Sequence, residues 1–228
     1  MTSHADFGEI APEGWPVLAA AGIVTILLAF IALPLGGFAL GLMLWLHHIL
    51  RIPLRQMPTD GDAVVAPADG VVTSIERQQQ TQDCHMQDGL PPMARITIRT
   101  RLTDAQLQRA PVTGRVRDNF LIPGLFLSAA DEVTARRDNE RREITLETDS
   151  GEVVMMVQIG TRTARQLICR HGPGRALAAG ASLGMARMGG LTDLFVPASA
   201  ELTVKEGQSV LAGETVLARL TGQQNGDS

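Results

Sequence analysis

Short β-branched runs separated by turn residues recur after residue 58, and they constrain the fold of this chain more than any other feature. Several runs alternate apolar and polar side chains, as half-buried strands do. Turn pairs such as Asp69-Gly70 and Glu206-Gly207 punctuate them. We predict a mainly β domain, β-rich α+β in class, with short helices at Ser128–Arg137 and Thr163–Arg170. The predicted strands are Ala63–Val65, Gly70–Ile75, Arg95–Arg99, Val112–Val116, Arg142–Thr148, Val153–Ile159, Leu194–Val196, Leu202–Val204 and Thr215–Leu220.

The segment from Trp15 to Leu46 carries no charged residue, and it is longer than the roughly 20 residues with which a helix spans a bilayer. Pro34 interrupts it, so we expect either one kinked transmembrane helix or a hairpin that dips into the bilayer. A signal peptide is disfavoured, because no Lys or Arg precedes the run. Arg51 and Arg55 follow it, so the positive-inside rule places the remaining chain on the cytoplasmic side of the cell (inner) membrane.

These changes of composition divide the chain into four parts. We predict an N-terminal tail at 1–14, a membrane anchor at 15–50, a folded domain at 51–220 and a disordered tail at 221–228. The net charge of −4 argues against a nucleic-acid partner, which would select a basic surface. Cys84 and Cys169 are isolated and lack the spacing of metal ligands, so we expect neither a metal site nor a disulfide.

Residues 65–72 and 204–217 are similar to each other, because both combine valines with turn glycines. They resemble the two edges of biotinyl/lipoyl barrel-sandwich folds. A carrier domain of that type presents a modified lysine at a hairpin tip. Lys205, the only lysine of the chain, does not occupy that position in the pattern. The resemblance therefore implies barrel-sandwich-like edges but gives little support to a carrier function.

An ordered set of motifs along residues 15–220 resembles phosphatidylserine decarboxylases of the short, membrane-anchored type. One departure lies in the first motif, where Ile52 replaces an aspartate of the family pattern. The resemblance implies a decarboxylase-type domain and a role in phospholipid metabolism. The motifs that carry it are Arg51–Pro58, Pro67–Gly70, Arg109–Val116, Pro123–Ala129, Asn139–Arg141, Val157–Gly160, Ala164–Cys169 and Gly184–Pro197.

The resemblance also assigns the catalytic positions. Members of the family cleave their own chain at a Gly-Ser pair, and the serine becomes a pyruvoyl group that serves as an electron sink. Here the cleavage-site equivalent is Gly189-Gly190, so the nucleophile is missing and we expect no pyruvoyl cofactor. Gln106 stands where the family has a histidine, and an amide cannot accept a proton near neutral pH. Asp69 matches the family aspartate, although an Asp-Gly pair also suits a plain turn.

Other residues could restore chemistry or bind lipid. Thr192 lies two positions after Gly190 and could act as a shifted nucleophile. Lys205 could form a Schiff base with a bound cofactor, but no phosphate-binding loop accompanies it. As lipid-binding candidates the sequence offers Phe126, His171 and Arg187.

Three functional hypotheses follow. The leading one is a pseudoenzyme of the family that cannot cleave itself, and that binds membrane phospholipid or regulates an active relative as a hetero-oligomer or homo-oligomer. The second is an active phosphatidylserine decarboxylase, producing phosphatidylethanolamine by an altered route. The third is a non-enzymatic barrel-sandwich adaptor.

Overall fold

The computed structural model describes residues 15–50, 55–58, 60–79 and 92–221. The chain divides into two compact units, Met1–Leu54 and Arg55–Ser228. The predicted tails, apart from Thr221, and the polar segment containing Cys84 lie outside the described residues, as does the first half of the Arg51–Pro58 motif.

The described part of the first unit consists of two helices that pack against each other, α1 (Trp15–Ile31) and α2 (Leu33–Leu50). The single residue Ala32, two positions before Pro34, separates the two helices. A Cβ atom at Gly36 would lie 2.6 Å from the Ala29 Cβ, so the approach there requires glycine. Within the described part of the chain, neither helix is long and apolar enough to cross a membrane. The structure thus does not support the predicted transmembrane helix.

The second unit is mainly β, as predicted. Its strands are β1 (Ala63–Val65), β2 (Gly70–Gln79), β3 (Met93–Thr100), β4 (Leu107–Arg109), β5 (Gly114–Ile122), β6 (Arg141–Glu147), β7 (Val153–Ile159), β8 (Gln166–Cys169), β9 (Ala176–Leu177), β10 (Ser182–Arg187), β11 (Gly190–Pro197), β12 (Glu201–Leu202), β13 (Ser209–Val210) and β14 (Val216–Arg219). The largest sheet has the strand order β13-β2-β3-β11-β7-β6-β5-β9, and two three-stranded sheets have the orders β1-β14-β12 and β4-β10-β8.

One predicted helix is correct in kind and the other is wrong. Within Ser128–Arg137 the structure has α3 (Glu132–Asp138), capped by the Asp131 carboxylate, which accepts a hydrogen bond from the Thr134 N–H. The segment Thr163–Arg170 instead contains β8, which pairs with β10. Pairing with a strand distant in sequence overrides the local helix preference, and Gly184 of β10 allows a very close backbone approach to Ile168.

Strand β11 is buried on both faces, and this positions the start of the strand inside the domain. Leu194 and Val196 belong to the main hydrophobic core. Leu191 and Phe195 belong to a second cluster on the opposite face, where α3 contributes Ala135. Antiparallel partners β3 and β7 flank the strand. Because strands flank β11 on both edges and hydrophobic clusters cover both of its faces, the position of its first residue, Gly190, is tightly constrained.

The two segments that resemble barrel-sandwich edges lie against each other. Val210 pairs with Gly70 in the β13–β2 ladder. The Ala66 N–H donates to the Thr215 carbonyl at 2.8 Å, and the Gly213 N–H donates to the Ala66 carbonyl at 2.9 Å. The C-terminal end of the domain is therefore joined directly to the segment that carries Asp69.

Candidate active site

The turn between β10 and β11 has an unusual backbone conformation. Met188, Gly189 and Gly190 have φ values of 70°, 84° and 130°, and Met188 is the only non-glycine residue with positive φ among the described residues. L-residues with side chains rarely adopt such values, and a bulky one does so only under strain. Met188, directly before the pair at which the family cleaves its chain, is thus the strained residue of this turn, whereas Gly189 and Gly190 adopt positive φ values without strain.

The residues at this turn do not fit a pyruvoyl group. The group would have to be made from a serine, and residue 190 is glycine. A Cβ atom there would lie 3.3 Å from the Ala164 Cβ and 3.3 Å from the Ile159 carbonyl oxygen, which is tighter than ordinary van der Waals contact. A side chain at position 190 would therefore require these neighbours to shift by a few tenths of an ångström.

Gln106 lies directly against the turn and is almost fully buried, at 2% exposure. Its side-chain oxygen accepts a hydrogen bond from the Gly189 N–H at 2.6 Å. Its amide nitrogen donates to the Arg101 carbonyl at 3.1 Å and to the Asp104 carbonyl at 2.6 Å. The carboxamide therefore holds the strained turn in place. A side chain with both donors and an acceptor engaged in this way serves a structural role and supplies no general base.

Asp69 is buried beside the same region, with its carboxylate engaged by other partners. One oxygen accepts from the Ala212 N–H at 2.7 Å, and the other pairs with the Arg55 guanidinium at 2.7 Å. Burial raises the pKa of Asp69 above its ordinary value, although the Ala212 N–H and Arg55 both act to lower it. Arg55, predicted as a juxtamembrane charge and as part of the Arg51–Pro58 motif, is thus also the ion-pair partner of Asp69. Because the charge of Arg55 is paired with Asp69, the predicted cytoplasmic orientation depends on Arg51.

The raised pKa of Asp69 predicts a pH dependence of stability. A carboxyl group whose pKa is higher in the folded state stabilises the fold fully below its unfolded-state pKa, and that contribution is lost as the pH rises through the folded-state pKa. We therefore expect wild-type stability to fall relative to an Asp69→Asn variant as the pH is raised from about 4 to neutrality. Urea unfolding of both proteins in a mild detergent measures the difference, and a rise in the wild-type advantage over this range would contradict the prediction.

The structure brings the three family positions to one place. Thr100 of β3 pairs with Gly190, and its hydroxyl donates to the Asp69 carbonyl at 2.7 Å. The backbone of Ala105, the neighbour of Gln106, also acts to lower the pKa of the Asp69 carboxyl group. Thr100 and Ala164 are site residues that the sequence did not reveal, because strand register places Thr100 opposite Gly190 and the loop before β8 brings Ala164 against it.

The alternative nucleophiles are placed differently. Thr192 lies in the regular part of β11, and its buried hydroxyl accepts a hydrogen bond from the Gln108 amide at 2.9 Å. The Gln158 amide in turn donates to the Gln108 side-chain oxygen. Thr192 thus belongs to a buried polar row rather than to the strained turn. Lys205 is exposed and begins a turn in which the Gln208 N–H donates to its carbonyl at 3.2 Å.

The three lipid-binding candidates do not converge. Phe126 lies 5.6 Å, measured from its ring centre, below the Arg165 guanidinium, and Arg187 bonds the Gln166 side chain at the start of β8. His171 follows the opposite end of β8, where its ring nitrogen contacts the Ser182 carbonyl oxygen at 2.9 Å. Phe126 and Arg187 therefore lie towards one end of β8 and His171 beyond the other.

A Gly-Gly turn thus opens the central strand β11, Gln106 bonds this turn, and Thr100 links its register position to the buried Asp69. The family model for phosphatidylserine decarboxylase matches residues 42–218. The chain belongs to the phosphatidylserine decarboxylase family.

Curated relatives match almost the whole chain. It is 36% identical over 209 residues to a phosphatidylserine decarboxylase proenzyme of Beijerinckia indica, covering 92% of this chain and 88% of the relative. It is 37% identical over 212 residues to a protein of the same description from Geotalea uraniireducens, covering 92% and 96%. A third such proenzyme, from Ruegeria pomeroyi, is 33% identical over 210 residues, covering 92% and 94%.

Proposed function

We propose that this protein is a pseudoenzyme of phospholipid metabolism, which keeps the family scaffold but does not cleave itself or form pyruvoyl. The observation that carries the proposal is the arrangement at Gln106, whose carboxamide bonds Gly189 and two backbone carbonyls. Gly190 supplies no hydroxyl beside it. A reaction that begins with a deprotonated serine needs both a nucleophile and a base, and this pair supplies neither.

The role that remains for such a scaffold is binding. We propose membrane phospholipid as its ligand, and an active relative as a partner whose activity it regulates by forming hetero-oligomers. The helix pair carries many exposed apolar side chains, among them Phe30 at 87% and Leu33 at 82% exposure. Contact with the inner membrane would cover this apolar surface. With Arg51 following the helices, the β-rich domain would face the cytoplasm.

Intact-mass spectrometry of the purified protein under denaturing conditions tests the proposal. We expect one chain of 24.4 kDa. An active relative purified in parallel, such as the Geotalea uraniireducens protein, provides the positive control for cleavage. Two fragments that meet at Gly189 and Gly190 would overturn the proposal.

A direct assay for phosphatidylserine decarboxylation by the same sample separates the second hypothesis from the first. We expect no activity above a heat-treated control. Activity that disappears in a Thr192→Val variant would instead establish decarboxylation by an altered route. The adaptor hypothesis requires modification of Lys205, which would add mass to the intact chain.

A further inference from the structure

Residues 55–58, which follow the two N-terminal helices in the sequence, lie against the β-rich domain, and we call them the strap. The strap contains no helix or strand. Groups from three other parts of the chain nevertheless contact it, at residues 69, 180 and 214. An irregular segment keeps a single conformation only when such contacts offset the entropy lost in ordering it. The strap is therefore an integral part of the domain and not a loose connection.

Arg55 makes the main attachment of the strap. Its side chain is only 12% exposed, and its guanidinium group contacts the carboxylates of Asp69 at 2.7 Å and of Glu214 at 3.5 Å. A buried ion pair depends strongly on both partners, because removal of one leaves the other charged in a poorly solvated place. The strap thus cannot leave the domain without taking away the ion-pair partner of Asp69.

Two further contacts hold the strap beside Arg55. The Gln56 N–H donates to the Glu214 side chain at 2.9 Å. The Met57 sulfur packs so closely on Gly180 that a Cβ atom at position 180 would overlap it, and the φ of Gly180 is 74°, which favours glycine. The arginine side chain, the backbone and the thioether are therefore attached at separate points.

The charges around Arg55 favour its attachment. Arg109, which is 6% exposed, interacts electrostatically with Arg55 and with both of its carboxylate partners. Asp104 contributes a further negative charge near Asp69. Without Arg55, three carboxylates would face a single guanidinium group, and like charges would repel one another. The positive charge of the strap offsets this repulsion.

Asp69 joins the strap to the turn at Gly189-Gly190 by two routes. Its carbonyl accepts a hydrogen bond from the Thr100 hydroxyl at 2.7 Å, and Thr100 is the register partner of Gly190. The backbone of Ala105 acts to lower the pKa of the Asp69 carboxyl group. The next residue, Gln106, accepts a hydrogen bond from the Gly189 N–H at 2.6 Å. A displacement of Asp69 therefore reaches the turn through both Thr100 and Gln106.

We infer that the strap is a coupling element, which holds Asp69 through Arg55 and so keeps the Gly189-Gly190 turn in its present conformation. Release of the strap removes the ion pair and frees Asp69 to shift, and the turn loosens with it. Arg55 is thus a positioning residue that acts on the turn through Asp69. The retained aspartate has a use here even though the chain lacks the serine. This coupling goes beyond the proposed function and does not depend on whether the chain cleaves itself.

Hydrogen-exchange mass spectrometry of the full chain in a mild detergent, resolved to single amides, tests this coupling. The Gln56 amide reports on the strap and the Gly189 amide on the turn, because each donates to one side chain. The Leu194 amide, in the middle of β11, reports on the stability of the whole domain. Circular dichroism confirms that each variant is folded.

Arg55→Gln should speed exchange at both the Gln56 and Gly189 amides by roughly tenfold or more, as the loss of a hydrogen bond to a charged group predicts. The Leu194 amide should change far less. Arg55→Lys keeps the charge but cannot reach both carboxylates at once, so it should cause a smaller increase at the same two amides. Arg137→Gln is the matched control, because Arg137 pairs with its neighbouring aspartate and is 71% exposed, and it should change neither amide.

Asp69→Asn tests whether Asp69 is the link. Added to Arg55→Gln, it should accelerate exchange at Gly189 little further, because both changes remove the same ion pair. Faster exchange at Gln56 with an unchanged Gly189 amide would overturn the inference. So would an equal acceleration at Leu194, which indicates general destabilisation, or fully additive effects of the two changes. If Arg55→Gln does not fold, Arg55→Lys decides, since it must still accelerate both amides. Intact mass of the same samples reports on cleavage separately, so failure of the proposed function and failure of this coupling are distinguishable.

Discussion

Gly190→Ser combined with Gln106→His is expected to convert the single chain into two fragments, residues 1–189 and 190–228. The double change restores a hydroxyl at the strained turn and an imidazole at the position where the Gln106 oxygen now lies 2.6 Å from the Gly189 nitrogen. Serine chemistry requires a base within hydrogen-bonding reach of the hydroxyl whose proton it accepts, and position 106 lies against the turn that would carry this hydroxyl. Denaturing electrophoresis and intact mass, followed over hours, measure the conversion.

The single variants are the controls for this experiment. Gly190→Ser alone should remain intact, since Gln106 cannot accept the serine proton. It should also lose about 1–3 kcal/mol of stability, because a side chain would be forced into a backbone with a φ of 130°. Gly190→Ala carries the same strain without a hydroxyl and should lose a similar amount. Cleavage of the Gly190→Ser protein would show that Gln106 is not a missing catalytic residue.

The second large effect is expected at Asp193, three residues after Gly190. Its carboxylate pairs with Arg136 of α3 at 2.7 Å and accepts from the Thr97 hydroxyl at 2.8 Å, with side chains only 9% (Arg136) and 3% (Asp193) exposed. Burial disfavours the charge on Arg136, yet Asp193 outweighs burial and raises its pKa. Asp193→Ala leaves this guanidinium buried without its main partner, which should cost about 3–5 kcal/mol of unfolding free energy.

A double variant separates the charge effect from simple loss of packing. Arg136→Met with Asp193→Leu removes both charges and keeps side-chain volume, so it should be clearly more stable than Asp193→Ala alone. Urea unfolding in a mild detergent measures all three proteins. If the double variant were as unstable as Asp193→Ala, the loss would come from packing and not from an unpaired buried charge.

The strands that carry their own pattern were predictable from the sequence. Val153–Ile159 and Ala63–Val65 match β7 and β1 in full, because β-branched runs bounded by turns specify strands locally. The strand β8 was mistaken for part of a helix, and β4, β9, β10 and β13 were not predicted. Strands β4, β9 and β13 have only two or three residues, and β10 is fixed by pairing with other strands, such as the ladder in which Gly184 pairs with Cys169.

The residues of the candidate site were predictable from the sequence, but their hydrogen-bond and ion-pair partners were not. The ordered motifs assigned Asp69, Gln106 and Gly190, and the structure brings these positions together. The partners that decide their roles could not be found in the same way. Arg55 reaches Asp69 across 14 positions and Ala212 across 143, so both contacts depend on the finished fold. Ala164 has an unremarkable side chain, and its importance comes from its distance to residue 190 alone.

The position of β11 has a consequence for any chain interrupted at its first residue. Residues 190–228 contribute β11 to the centre of the large sheet, β13 to its edge beside β2, and β12 and β14 to the sheet that contains β1. Two separately produced pieces divided there would share three interlocked sets of strand pairs. They should therefore reassemble by fragment complementation, which makes this boundary a natural place to build a split version of the protein and to measure the association of its halves.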